Sequence, residues 1–155
     1  LNGQKNEVVS LGAVKYAFLK QRMGGDIVYD PEESVSLVGN SGPYLQYAHA
    51  RACSILAKTS AQPVVGGNAY DEHERALALK LSQYTETLDG ALVEFMPHGV
   101  CTYLYELAQE FNRFYEHSRV VGDEREALRV GLVSRYRDTL GHGLGLLGIA
   151  APEKL

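Results

Sequence analysis

Between Pro97 and Ser118 the chain places Val100, Leu104, Leu107, Ala108, Phe111 and Phe114 at three- and four-residue steps, a broad apolar stripe that a helix keeps on one side. So wide a stripe has to be covered by other elements, and the same spacing recurs in the rest of the chain. Pro97 suits the first turn of this helix, and Val120-Val-Gly122 closes it. Upstream, Leu45, Ala48, Ala52, Ile55 and Leu56 predict a helix within residues 39–58, with Ser41 or Gly42 as its cap and Pro43 in its first turn. From Asp71, the residues Leu77, Leu81, Tyr84, Leu88, Leu92 and Phe95 repeat in the same way up to Met96-Pro97. They form one long helix, or two with a break marked by Thr85, Thr87 and Gly90.

The ends of the chain follow the same logic. Val8, Leu11, Val14 and Phe18 lie on one face of a predicted helix from Asn6 to Met23, stopped by Gly24-Gly25. Ile27-Val-Tyr29 is an edge strand or an extended segment, and Asp30-Pro31 caps a short helix to about Val38. Thr59 to Tyr70, with Pro63, Gly66, Gly67 and Asn68, reads as a surface loop. Asp123 caps a last helix to about Leu140, with Leu128, Leu132, Tyr136 and Leu140 inward, and a tail rich in leucine and glycine packs back to Leu155. The fold class is therefore all-α, a helical bundle.

At 155 residues the chain suits one domain plus a short extension, and 45% hydrophobic with 22% charged residues describes a globular protein. No apolar run approaches the ~18–20 residues that span a bilayer, and the first residues have no signal-peptide core, so a cytoplasmic protein without a membrane partner is expected. Cys53 and Cys101 form no C-x-x-C pair and are expected as free thiols. A net charge of −4 and a pI near 5.7 argue against a general nucleic-acid binder. Local basic patches remain possible, because the segment from His98 onward carries 7 basic and 8 acidic residues, against 8 and 11 before it. Arg113, Arg119, Arg125, Arg129, Arg135 and Arg137 lie there, some as helix-surface partners of Glu116, Glu124 and Asp138.

Tyr44, Tyr47, Arg51 and Lys58 share a second face of the helix within 39–58. Rings and cations interleaved in this way suit unpaired bases and phosphates. They equally suit packing on a neighbouring helix. Two other motifs carry less. Gly143-Leu-Gly145-Leu-Leu-Gly148 matches G-x-G-x-x-G, but the dinucleotide reading needs a preceding strand and an acidic residue about 20 positions on. The glycines instead predict close helix packing and a helix C-terminus. His49 and Cys53 lie one turn apart without a second pair, so no metal site is assigned, and His49 is expected at a hydrogen-bonded interface.

Four stretches resemble the arginyl-tRNA synthetase family in that family's order: Gly12-Ala-Val-Lys-Tyr16, Gly39-Asn-Ser-Gly-Pro-Tyr-Leu-Gln-Tyr-Ala-His-Ala-Arg51, Tyr103-Leu-Tyr-Glu-Leu-Ala-Gln-Glu-Phe-Asn-Arg-Phe-Tyr115 and Gly143-Leu-Gly-Leu-Leu-Gly-Ile-Ala-Ala-Pro-Glu-Lys-Leu155. The resemblance implies that residues 1–40 are the tail of a catalytic region and 41–155 an α-helical anticodon-binding domain. It implies the anticodon stem-loop of tRNA(Arg) and the catalytic domain of the parent chain as partners. Neither ATP-binding signature of the family occurs here, so no catalytic or cofactor-binding residue is assigned. ATP with Mg belongs to the parent enzyme, and this stretch alone should be inactive. Carried over residue by residue, Tyr47, Arg51 and Tyr115 match positions facing the anticodon loop, and Leu155 matches the C-terminal residue beside the recognised base. Lys154-Leu155 replaces the family's usual Arg-Met. Arg119 stands where some members carry an aromatic, exchanging a ring for a cation. The rival reading is a helical protein–protein interaction module using the same tyrosine-rich face.

Overall fold

The structure, a computed structural model, describes residues 2–64, 66 and 70–155, with side chains from residue 7 onward. Among these residues there are seven helices and no strand: α1 Asn2–Leu19, α2 Pro31–Ser34, α3 Gly42–Leu56, α4 Glu72–Ser82, α5 Tyr84–Glu94, α6 His98–His117 and α7 Glu126–Leu146. No helix among them is long and apolar enough to cross a membrane. Gly67 and Asn68, counted above as turn formers, lie outside the described residues.

α6 is the axis of the bundle, packed by α1, α3, α4, α5 and α7. Its stripe is buried as the spacing predicts, with Leu104, Leu107, Phe111 and Phe114 wholly inaccessible. Phe111 stacks on Tyr136 of α7 with ring centroids 3.9 Å apart and planes at 6°. α3 starts as expected, with Ser41 accepting the Tyr44 N–H at 3.2 Å and Pro43 in the first turn. Its stripe of Leu45, Ala48, Ala52 and Ile55 is buried, and Leu56 is half-buried. α3 meets α1 so closely that a Cβ on Gly42 would be driven into the Gly12 carbonyl.

α1 departs from the expectation in two ways. It runs from Asn2 to Leu19 and stops short of Met23, because the Gln21 side chain donates to the Ala17 carbonyl at 2.8 Å and pairs with the Val28 backbone, turning the chain before Gly24. The face grouped by the spacing is also not the one it buries. Leu11, Val14 and Phe18 are 54%, 41% and 46% exposed, whereas Ala13, Tyr16 and Ala17 are buried. Small residues admit α3, and the Tyr16 hydroxyl is fixed between Asn40 Oδ1 at 2.6 Å and the Cys101 carbonyl at 3.0 Å. The Leu11/Phe18 face continues into exposed Ile27, Val28, Leu37 and Val38. Ile27-Val-Tyr29 forms no strand, its ring stacking on Phe18 at 5.9 Å. α2 is capped by Asp30 but ends at Ser34, short of Val38.

Residues 71–96 form two helices broken at Gln83, slightly before the expected positions. α5 lies on the outside of α6, leaving Leu92 and Phe95 at 71% and 78% exposure although they continue the apolar spacing. Phe95 closes α5 in the left-handed region at φ 54°. α7 begins later than the cap at Asp123 predicts, after a turn in which Asp123 Oδ1 accepts the Arg125 N–H. It also continues past Leu140 through the glycines. A Cβ on Gly143 would come within 2.6 Å of Leu104, so its absence lets α7 lie against α6. Gly148, at φ 67°, ends the helix, as read from the sequence. Leu128 is only half-buried, while Leu132, Tyr136 and Leu140 are inside.

Of the arginines expected as surface partners, Arg137 pairs with Asp138 at 2.6 Å and Arg113 with Glu110 at 3.0 Å, whereas two others are used otherwise. Arg125, just before α7, and Arg129 within it reach across to Glu74 of α4, a carboxylate with no exposed surface. Arg129 also meets Asp71 and Asp123 at 3.3 Å and donates to the Arg119 carbonyl at 2.8 Å. Burial alone would raise the Glu74 pKa, but the hydrogen bonds from Arg125, Arg129 and the Asp71 backbone outweigh it and pull it down to about 2.

Candidate nucleic-acid interface

One face of α3 and the C-terminal tail build the first part of the interface. After Gly148 the chain folds back and is tied to α3 by two polar side chains. Gln46 Nε2 donates to the Ala150 carbonyl at 2.9 Å, and His49 Nδ1 lies 3.0 Å from the Pro152 carbonyl. His49 is thus the buried, hydrogen-bonded interface residue its position suggests. With Leu147 and Ile149 buried beneath, these bonds place Lys154 and Leu155 beside the outer face of α3. Tyr47, Ala50, Arg51, Ser54, Lys154 and Leu155 then line a hollow of about 490 Å³.

Three of the five residues singled out from the sequence therefore meet at one place. Tyr47 and Leu155 are 44% and 41% exposed, and the Arg51 guanidinium carbon stands 5.2 Å from the centre of the Tyr47 ring. The hollow offers a flat ring, two cations and an apolar end group. Such a set can take a base by stacking and a phosphate by charge.

Tyr115 and Arg119 lie in a second hollow of about 470 Å³ at the C-terminal end of α6, together with Ile55, Lys58 and Val121. Tyr115 is 43% exposed and rests on Phe111 with the rings 6.3 Å apart and 17° from parallel. Arg119 donates through Nε to the Val121 carbonyl at 3.0 Å, which fixes the side chain along the rim while leaving it exposed. Lys58 belongs here and not beside Tyr47, since it lies beyond the end of α3.

Tyr44, grouped with Tyr47 and Arg51 by spacing, is instead a packing residue. It is half-buried, edge-on to Tyr105 at 5.7 Å, and its hydroxyl accepts a hydrogen bond from Asn112 at 2.7 Å. Burial and the neighbouring Tyr105 push its phenol pKa up. The residues that sequence reasoning did not single out are Asn112 and Ser54. Asn112 alone gave a signal, as the polar residue between Phe111 and Phe114 in the quoted Phe-Asn-Arg-Phe-Tyr run. Cys101 is buried and Cys53 half-buried, both free. Gly143 and Gly145 lie within α7 and Gly148 just beyond it, with no strand before them, so they offer no dinucleotide fingerprint.

The all-helical bundle thus presents rings and cations in two hollows, one of them closed by its own tail. The family model described as the DALR anticodon binding domain matches residues 45–155, and the chain belongs to that family. The relatives it resembles are arginine–tRNA ligases. That of Mannheimia succiniciproducens is 40% identical over 155 residues, covering 96% of this chain and 27% of the relative. That of Cutibacterium acnes is 39% identical over 164 residues, covering 95% of this chain and 30% of the relative. Among solved structures, Thermus thermophilus arginyl-tRNA synthetase superposes with a TM-score of 0.86 at 36% identity, over 96% of this chain and 27% of the other. The Plasmodium falciparum arginyl-tRNA synthetase gives 0.88 at 28% identity, over 98% and 28%. The chain thus spans between a quarter and a third of the length of these relatives.

Proposed function

We propose that this chain binds the anticodon stem-loop of tRNA(Arg), as the anticodon-binding part of a cytoplasmic arginine–tRNA ligase whose parent chain joins arginine to tRNA with ATP. The observation that carries the reading is the hollow in which Tyr47, Arg51, Lys154 and Leu155 converge from α3 and the tail. Unpaired loop bases can enter such a hollow because they splay out, stack on a ring and present their edges. The second hollow, with Tyr115, Lys58 and Arg119, extends the same chemistry along one flank. ATP and Mg act in the parent's catalytic region, and the exposed apolar face of Leu11, Val14 and Phe18 is where that region rests on the bundle. The family's two ATP-binding signatures are not in these 155 residues, so the chain by itself binds and does not catalyse.

The test is tRNA binding over a salt series. Tyr47→Ala should weaken binding by ~1–3 kcal/mol, the usual worth of a base stacked on an aromatic ring. Arg51→Ala should lower the slope of log affinity against log salt by about one, the mark of one lost phosphate contact. Wild-type affinity and slope in both variants would rule this face out and favour a protein partner, whose apolar contacts respond little to salt.

A further inference from the structure

Asn112 of α6 makes a hydrogen bond with each end of its amide. Nδ2 donates to the Tyr44 hydroxyl at 2.7 Å, and Oδ1 accepts from Arg51 Nη1 at 3.1 Å. A guanidinium has only donors, so Oδ1 must face Arg51, which leaves the amino group for Tyr44 and fixes the amide orientation. Tyr44 is itself held against the Tyr105 ring, so the support behind Asn112 is rigid on both α3 and α6. On the other side, the Arg51 guanidinium lies over the Tyr47 ring at 5.2 Å. A line of contacts therefore runs from the core edge through Asn112 and Arg51 to the exposed ring of the first hollow.

We propose that Asn112 is a positioning residue: it holds the Arg51 guanidinium across Tyr47 so that cation and ring are set for one nucleotide before it arrives. The inference rests on the tRNA reading given above. Arginine side chains have many rotamers, and ordering one at the moment of binding opposes affinity. Asn112 takes up one of the five guanidinium donors and leaves the others for phosphate. A carboxylate in its place would pin the side chain equally well but neutralise it. The amide therefore supplies direction without consuming the charge.

The experiment measures binding of a synthetic tRNA(Arg) anticodon stem-loop by fluorescence anisotropy over a salt series, with thermal unfolding in parallel. Wild type, Asn112→Ala, Arg51→Ala, the double variant and Asn112→Asp are compared. Asn112→Ala should weaken binding roughly three- to tenfold, the worth of one ordinary hydrogen bond, while Arg51 is present. It should have no further effect once Arg51 is gone, a coupling that a merely structural role would not produce. Asn112→Asp keeps the size of the side chain and should lower the salt slope by about one, as Arg51→Ala does. Equal losses from Asn112→Ala in both backgrounds would overturn the proposal. So would an Asn112→Asp slope equal to wild type while Arg51→Ala lowers it. Arg51→Ala binding like wild type would instead sink the tRNA reading of this face, and the role of Asn112 with it.

Discussion

Replacing Glu74 by glutamine removes one charge from the interior and changes almost nothing else in shape. In the native chain that carboxylate receives Arg125 Nε at 2.9 Å and Arg129 Nε at 2.8 Å on one oxygen, and Arg125 Nη2 and the Asp71 N–H on the other. A glutamine keeps an acceptor for one side but turns an amino group toward a guanidinium. Removing one partner of a buried ion pair costs ~3–5 kcal/mol. Arg129 retains Asp71, Asp123 and the Arg119 carbonyl, and the Arg125 side chain is 31% exposed, so the lower end applies. About 3 kcal/mol, at ~2–4 °C per kcal/mol for a chain of this size, lowers Tm by roughly 6–12 °C. Urea unfolding followed by far-ultraviolet circular dichroism at pH 7 measures the loss directly. The pH series is the sharper check. The pKa of Glu74 lies below its ordinary 4.5, at about 2. Its contribution is therefore complete above pH 4.5 and is lost as pH falls toward 2. The gap between wild type and Glu74→Gln should close over that window. A gap that is small at pH 7, or that persists unchanged at pH 2, would show that the cluster does not hold α4 to α7.

Phe95→Gly should stabilise the chain by ~1 kcal/mol, since an exposed phenylalanine gives up little contact while the left-handed conformation disfavours any residue with a Cβ; chemical denaturation reads the shift, and a loss of stability would mean that the ring is bound somewhere. Gly42→Ala should destabilise by ~1–3 kcal/mol, because its methyl group meets the Gly12 backbone carbonyl and not a yielding side chain. An unchanged melting temperature would show that α1 and α3 separate freely. Arginine-dependent ATP–pyrophosphate exchange should be absent from the purified chain, and exchange above that of a mock preparation would overturn its assignment as a binding part alone.

Helix type and most of the core were legible because α3, α6 and α7 carry stripes buried on one side, such as Leu104 to Phe114. Which face of α1 is buried was not legible, because the helix has two apolar sides. The larger side chains, Leu11, Val14 and Phe18, gave the stronger signal, yet small Gly12 and Ala13 with a hydrogen-bonded Tyr16 give the closer contact with α3. Periodicity counts apolar residues and cannot weigh how near two backbones can come. The end of α7 was lost for a related reason, since glycine disfavours a helix by ~1 kcal/mol relative to alanine and only the facing Leu104 reveals why Gly143 is there. Glu74 closes the capping box of α4, but its two arginine partners come 51 and 55 positions later, beyond the reach of any local pattern. In the interface, Tyr47, Arg51 and Leu155 could be named from motifs. That Tyr44 turns inward while Asn112 turns toward Arg51 needed the packing of α3 on α6.

The tail that closes the first hollow is bound to α3 through contacts between residues 104 and 103 positions apart. During synthesis α3 leaves the ribosome long before the segment that will cover its outer face exists. The helices between them can already collapse on their stripes by then, whereas the hollow forms only by closing a loop of about a hundred residues, a slow and entropically costly step. A nascent chain would pass through a stage in which most of its core has formed and the hollow has not. The hollow is therefore the last part of the fold that synthesis can complete.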